Sequence, residues 1–304
     1  MRILVLGFTG YLGGHVAERL RALPGARVLG GGRSLAADLP VDLATDTVER
    51  LTRVLAAADV DTVVNCAGAT GGDPVTLAEV NARGPAALCA ALRRARPAAR
   101  LVHLGSAAEY GPGTERVPVP ESAPTRPLTA YGATKLAGTV TVAASELDSV
   151  VLRVGNPVGP GAPVTSLPGR VTGLLRAAGP DAELRLGDLS AYRDFVDVRD
   201  VARAAERAVT ATGPLPSVLN VGGGEAVPVR RLVRTLAGVA GFRGRIEEQG
   251  AGSARSEQVS WQCSDITAAR TALDWRPSYS LDESLAALWS AGAPSRPPEG
   301  DRPS

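Results

Sequence analysis

The chain is short of several residue types, and each shortage narrows what it can be. Its 304 residues include three cysteines, two histidines, one methionine and a single lysine among 33 basic residues. Cys66, Cys89 and Cys263 form no CxxC pair and no even framework, which fits a reducing, cytoplasmic setting. His15 and His103 stand far apart, so no histidine-based metal site is expected. The formal net charge is only +2, and no run of like charge stands out. That argues against nucleic acid or a membrane surface as the main partner. No apolar run approaches the roughly 18 residues of a membrane span. The opening "MRILVLG" reads as a first strand, not as a leader.

What is present is an alternation. Residues 2–7, 27–30, 61–66, 100–105, 149–154 and 218–221 are near-continuously apolar and rich in Val and Leu, as buried parallel strands are. Helical stretches lie near 12–23, 47–57, 75–95 and 129–147. The pattern predicts an α/β fold, a Rossmann-type doubly wound parallel sheet with helices on both faces. Past residue 155 it turns irregular, with helices near 163–178, 198–211 and 228–240 among Pro- and Gly-rich loops. The expected organisation is a dinucleotide-binding domain over 1–155 plus about 190–225. A smaller mixed α/β substrate-binding domain is expected over about 156–189 plus 226–292, and a disordered Pro-rich tail over 293–304.

"LVLGFTGYLGGHV" places Gly7, Gly10 and Gly13 between the first strand and the first helix. Glycines there allow a tight turn, a close backbone approach and free N–H groups at a helix N-terminus, which together suit a pyrophosphate. Thr9, Tyr11 and Leu12 complete the loop as cofactor contacts. The end of the second strand reads "VLGGGRS". An NAD site usually carries an acid there for the ribose 2′-hydroxyl. Here Arg33 follows three glycines, and arginine grips a 2′-phosphate through charge-assisted bonds. The expected cofactor is NADP(H), with NAD as the alternative. Asp42 and Leu43 are placed to meet the adenine.

The single lysine stands in "YGATK". Tyr131 and Lys135 are four residues apart and share one helix face. An ammonium beside a phenol favours the phenolate, so the tyrosine is tuned to trade a proton with an alcohol or ketone oxygen. Arginine is bulkier and planar and cannot act as a compact point charge, so chemistry holds lysine here.

At this point the sequence resembles the extended short-chain dehydrogenase/reductase family, the nucleotide-sugar epimerases, dehydratases and ketoreductases. The resemblance rests on "GFTGYLGG", "VVNCAG", "EVNARGPAAL", "HLGSAAEYG", "PLTAYGATK", "LRVGNPVGPG", "RDFVDVRDVA", "LNVGGGEAV" and "SDITAARTALDWRP", in that order. It implies that Ser106 takes the place of the family's Ser/Thr beside Tyr131 and that Lys135 also binds the nicotinamide ribose. It further implies that Cys66, Ala67 and Gly68 line the dinucleotide and that Asn81 supports their loop. Thr70, Ser106, Asn156, Arg193 and Arg255 are the implied substrate contacts, the two arginines as a clamp on a diphosphate. A homodimer through the helices near 75–95 and 129–147 is a further implication.

Sugar 4,6-dehydratases carry Asp-Glu directly after the catalytic Thr, where this chain has Ala107 and Ala108, so the resemblance does not extend to water elimination. Glu109 comes one place later, where its side chain turns elsewhere. The expectation is an NADPH-dependent ketoreductase of a nucleoside-diphosphate 4-keto-deoxyhexose, with TDP as the expected nucleotide, of the kind used in antibiotic deoxysugar biosynthesis. Three other readings stay open: a nucleotide-sugar 4-epimerase holding NAD, a reductase of a non-sugar carbonyl, and a non-catalytic cofactor-sensing regulator.

Overall fold

The computed structural model describes residues 1–250 and 259–292; the tail expected to be disordered, 293–304, lies outside them. Strand β1 (Arg2–Leu6) is buried at four of its five positions, as a strand covered on both faces must be. It lies inside a seven-stranded sheet, third from one edge. Across that sheet run β3 (Leu39–Pro40), β2 (Arg27–Gly32), β1, β4 (Thr62–Asn65), β5 (Arg100–Ser106), β6 (Ser149–Val154) and β10 (Val218–Val221). Every pair is parallel. This is the doubly wound Rossmann-type fold, and all six strands expected from the sequence are in it. The order reverses between β1 and β4, and such a switch point opens a crevice at the strands' C-terminal ends.

Helices cover both faces. On one, α1 (Tyr11–Arg21) contributes Val16 and Leu20, and α7 (Val198–Thr210) contributes Val201 and Ala205, to a cluster that includes the buried Trp275. On the other, α2 (Val48–Ala58), α4 (Gly84–Ala95) and α5 (Ala130–Ala143) bring Leu51, Leu88 and Val142. The helix expected over 75–95 is broken into α3 (Pro74–Ala78), a π-helical turn over Glu79–Arg83 and α4. Pro85 has no N–H to give the carbonyl of Asn81, four residues back, and a wider turn absorbs the loss.

Beyond residue 155 the chain builds two small sheets. One holds β11 (Ala226–Pro228), β9 (Tyr192–Asp197) and β7 (Asn156–Val158); the other pairs β12 (Arg245–Glu248) with β8 (Glu183–Leu186). Helices α6 (Leu167–Ala177), α8 (Val229–Val239) and α10 (Leu281–Ala291) close a third apolar cluster around Val171, Leu232 and Leu285. Helix α9 (Thr267–Leu273) returns to the first cluster through Ala269 and Leu273. These five strands have three to six residues each, too short for an alternation to stand out. Among the described residues no helix is long and apolar enough to cross a membrane.

Candidate active site

The loops that leave β1 and β4 meet at the switch point. Gly7 adopts φ +74 and its N–H donates to the Gly31 carbonyl at 2.9 Å. A Cβ on Gly13 would stand 2.1 Å from the Gly7 oxygen, and one on Gly7 would stand 2.8 Å from the Ala67 Cα. Neither site tolerates a side chain, and so the loop lies flat against both α1 and the β4 loop. Helix α1 starts after Gly10 with no side-chain cap and no acid in its first turn. Its first N–H groups are thus left for an anion, and Thr9 and Gly10 are exposed there. Tyr11 does not turn its hydroxyl to that side. It donates to the Gly159 carbonyl at 3.3 Å, and burial, with Asp197 nearby, raises its phenol well above the ordinary value. Leu12 packs against the first cluster.

The opposite wall is fixed by amides. Asn65 Oδ1 accepts from the Ala67 N–H at 3.1 Å, and Asn65 Nδ2 meets His103 Nδ1 at 3.1 Å. Asn81, set in the π turn, accepts from the Ala69 N–H and donates to the Ala69 carbonyl, both at 2.9 Å. Cys66, Ala67 and Gly68 are thereby held at the crevice. Burial pushes the Cys66 thiol up to about 12, so it stays neutral. These loops fit a dinucleotide: Gly7, Gly10 and Gly13 keep the turn between β1 and α1 free of side chains at those positions, and Thr9 and Gly10 are exposed. At the β2 end, a Cβ on Gly30 would strike the Phe8 ring at 2.8 Å and one on Gly31 would lie 2.7 Å from Leu6, whereas Gly32 has open space. Arg33 is exposed and makes no hydrogen bond or ion pair with the described residues. Leu43 is buried in the second cluster, and the Asp42 carboxylate accepts from the Ala44 N–H at 3.0 Å, closing its own turn.

Ser106, Tyr131 and Lys135 come from two neighbouring elements. Ser106 ends β5 and caps a 3₁₀ turn over Ala107–Glu109, where its Oγ accepts from the Ala108 N–H at 3.2 Å. Helix α5 starts at Ala130, with Thr129 Oγ1 accepting from the Gly132 N–H. A Cβ on Gly132 would lie 2.6 Å from the Ala108 carbonyl, so the glycine beside Tyr131 lets α5 rest on the turn that follows Ser106. Lys135 is buried and its Nζ donates to the Leu104 carbonyl at 2.6 Å. Burial lowers its pKa to about 8; the Glu109 carboxylate and Cys66 push the other way.

On the substrate side, Asn156 leads β7 away from β6. Its Nδ2 donates to the Asp194 carbonyl at 3.1 Å and to Gln262 Oε1 at 3.0 Å. Arg193 is buried in β9 and donates to the Tyr192 carbonyl at 2.7 Å. Thr70 is exposed just past the Cys66–Gly68 loop. Arg255 lies outside the described residues. The structure brings three further residues to the site. Asp194, which burial pushes up to about 6, collects the N–H groups of Gly223, Gly224 and Ser264 and joins three segments under the cleft. Gln262 orients Asn156. Glu109 sits in the core beneath Ser106, and for it a signal existed: Ser106-x-x-Glu109 has the spacing of a capping box. Among the described residues no cluster of His, Cys, Asp and Glu could hold a metal ion.

The family model described as the NAD dependent epimerase/dehydratase family matches residues 3–222. The chain is 38% identical over 304 residues to the dTDP-6-deoxy-L-talose 4-dehydrogenase (NAD(P)(+)) of Kitasatospora kifunensis, with 95% of each chain covered. It is 31% identical over 274 residues to the UDP-glucose 4-epimerase of Azospirillum brasilense, covering 79% of this chain and 78% of that one. Among solved structures it superposes on MoeE5 in complex with UDP-glucuronic acid and NAD at a TM-score of 0.83, with 26% identity and coverage of 96% and 98%.

Proposed function

The chain belongs to the NAD-dependent epimerase/dehydratase family and is an NAD(P)-dependent enzyme, and on that premise we propose that it is an NADPH-dependent ketoreductase of a nucleoside-diphosphate 4-keto-deoxyhexose. The observation that carries the choice of reductase is the β2 end, where Arg33 stands exposed and unpaired beside a side-chain-free Gly32. A guanidinium there matches a 2′-phosphate, and the strand end itself, Gly30–Gly32, carries no acid for a 2′-hydroxyl; the nearby Asp38 carboxylate is engaged by the Gly30 N–H at 2.7 Å. The relative from Kitasatospora supports C4 as the reacting carbon, since a 4-dehydrogenation run backwards is a 4-keto reduction.

Bound NADPH supplies a hydride to the ketone carbon. Around it the chain's own groups handle the oxygen. The Ser106 hydroxyl, with its lone pair already engaged by Ala108, turns its proton to the carbonyl oxygen and polarises it. Tyr131 gives the proton that converts the developing alkoxide to an alcohol. Lys135, held as an ammonium on the same helix face, binds the ribose and favours return of the tyrosine to its phenolate. Asn156 and Arg193 bind the sugar diphosphate, and the smaller lobe built around residues 156–189 and 226–292 supplies that surface.

Replacing Arg33 by Ala is expected to weaken NADPH binding about ten- to a hundredfold and leave NADH unchanged. Gly32→Asp, entering open space, is expected to reverse the preference. Fluorescence titration with both dinucleotides checks this; equal losses for both would refute the 2′-phosphate role. A 4-epimerase with tightly held NAD is the second reading, favoured by the Azospirillum relative. Denaturing the purified protein and weighing any released dinucleotide separates the two. An empty protein that consumes NADPH with a nucleoside-diphosphate 4-keto-deoxyhexose supports the reductase, and released NAD⁺ supports the epimerase.

A further inference from the structure

Glu109 is fully buried, and the residue pattern of the reaction gives it no task. Its two oxygens take donors from three elements. Oε1 accepts from the Ser106 N–H at 2.7 Å at the end of β5 and from Thr139 Oγ1 at 2.9 Å on α5. Oε2 accepts from Arg153 Nε at 2.7 Å on β6. A Cβ on Gly105 would come within 2.8 Å of Oε1, so a glycine at 105 is what makes room for the carboxylate. Thr139 continues the stripe of Tyr131 and Lys135, four residues on each time, along one face of α5. One carboxylate therefore ties the Ser106 turn to the helix face that carries the other two groups.

Charge points the same way. Arg153 lies over the Tyr110 ring at 4.6 Å, and Tyr110 donates to Asn220 Oδ1 at 2.8 Å, so the ion pair is held in a buried network. Glu109 and Cys66 raise the Lys135 pKa, and His103, which is buried and stays neutral, feels its charge, as Tyr131 does on the reading above. Glu109 is the carboxylate among them, paired with Arg153 Nε at 2.7 Å. We infer that Glu109 is the positioning residue of this site: it sets the Ser106 turn against the Tyr131–Lys135 helix face and supplies the buried charge that keeps Lys135 protonated. The inference rests on the reading of Ser106, Tyr131 and Lys135 as the reacting groups.

The test is the pH profile of NADPH-dependent turnover in two variants. Glu109→Gln keeps a carbonyl for Ser106 and Thr139 but loses the charge. Its alkaline limb is expected to move down by about one pH unit, with the plateau kcat within about threefold of the parent. Because that variant leaves Arg153 unpaired in the core, the double variant Glu109→Gln with Arg153→Gln serves the same readout if the single one does not fold. Thr139→Val keeps the charge and removes one tie; kcat is expected to fall about tenfold, with the limb and the NADPH Kd unmoved. An unmoved limb overturns the charge role, and an unmoved kcat in Thr139→Val overturns the positioning role. Tyr131→Phe run alongside separates failures. If it is inactive while the Glu109 variants behave as the parent, only the role of Glu109 falls. If it is active, the reading beneath it falls.

Discussion

Tyr131→Phe is expected to lower turnover by about two to four orders of magnitude while leaving NADPH affinity within about twofold. The reason is local. Tyr131 stands beside Gly132, where α5 rests on the turn that follows Ser106, and its phenol is the proposed proton source. Phe keeps the ring and its packing and removes only the hydroxyl, so the dinucleotide cradle between Gly7 and Ala67 is untouched. Single-turnover rates of NADPH oxidation with the keto sugar, beside a fluorescence Kd, separate the chemical step from binding. A variant that turns over at the parent rate would remove Tyr131 from the mechanism and leave a chain that binds a dinucleotide without using it.

Lys135→Met is expected to do two opposite things. Turnover should fall at least a hundredfold, because the proposed hold on the ribose and the proposed charge beside Tyr131 are lost together. The fold should become more stable. Burial lowers the folded pKa from 10.5 to about 8, so at pH 7 the native chain holds an ammonium out of water that the unfolded chain would hydrate. Between about pH 8 and 10.5 the unfolded chain binds the extra proton, so the parent's stability rises with pH across that window. Below it the cost is present in full. Removing the charge is expected to stabilise the protein by on the order of 2 kcal/mol at pH 7, after the lost bond to Leu104 is counted, and to flatten the rise at alkaline pH. Thermal melts at pH 7 and pH 10 read both effects. A variant that melts lower than the parent at pH 7 would mean that the Leu104 bond and the Glu109 charge outweigh the burial cost. A gain in stability bought with lost activity is the behaviour of a strained functional group.

Much of this was legible before any coordinates. Continuous apolar runs need both faces covered, which dictates a parallel sheet flanked by helices, and the six runs became six of its seven strands. Glycines between a strand and a helix, and a tyrosine and lysine one turn apart, are local patterns whose geometry follows from backbone rules alone. The shortage of lysine made its one occurrence conspicuous. Even Ser106-x-x-Glu109 was readable as a capping box, although its spacing says nothing about Thr139 or Arg153.

Other features were decided only when distant segments met. The π turn that seats Asn81 follows from Pro85 and from the close approach of α5, where a Cβ on Gly138 would lie 2.3 Å from the Asn81 oxygen. Gln262 reaches Asn156 across 106 positions, and Asp194 gathers N–H groups from two loops, a convergence that no periodicity encodes. The low pKa of Lys135 and the part Glu109 plays in it depend on burial and on charge at short range, which are properties of packing. The sequence by itself determined which segments are strands and which residues are candidates for the chemistry, because both are set within a few residues along the chain. The tertiary structure decided how those residues are aimed and charged, because a buried carboxylate acts on whatever the fold places around it.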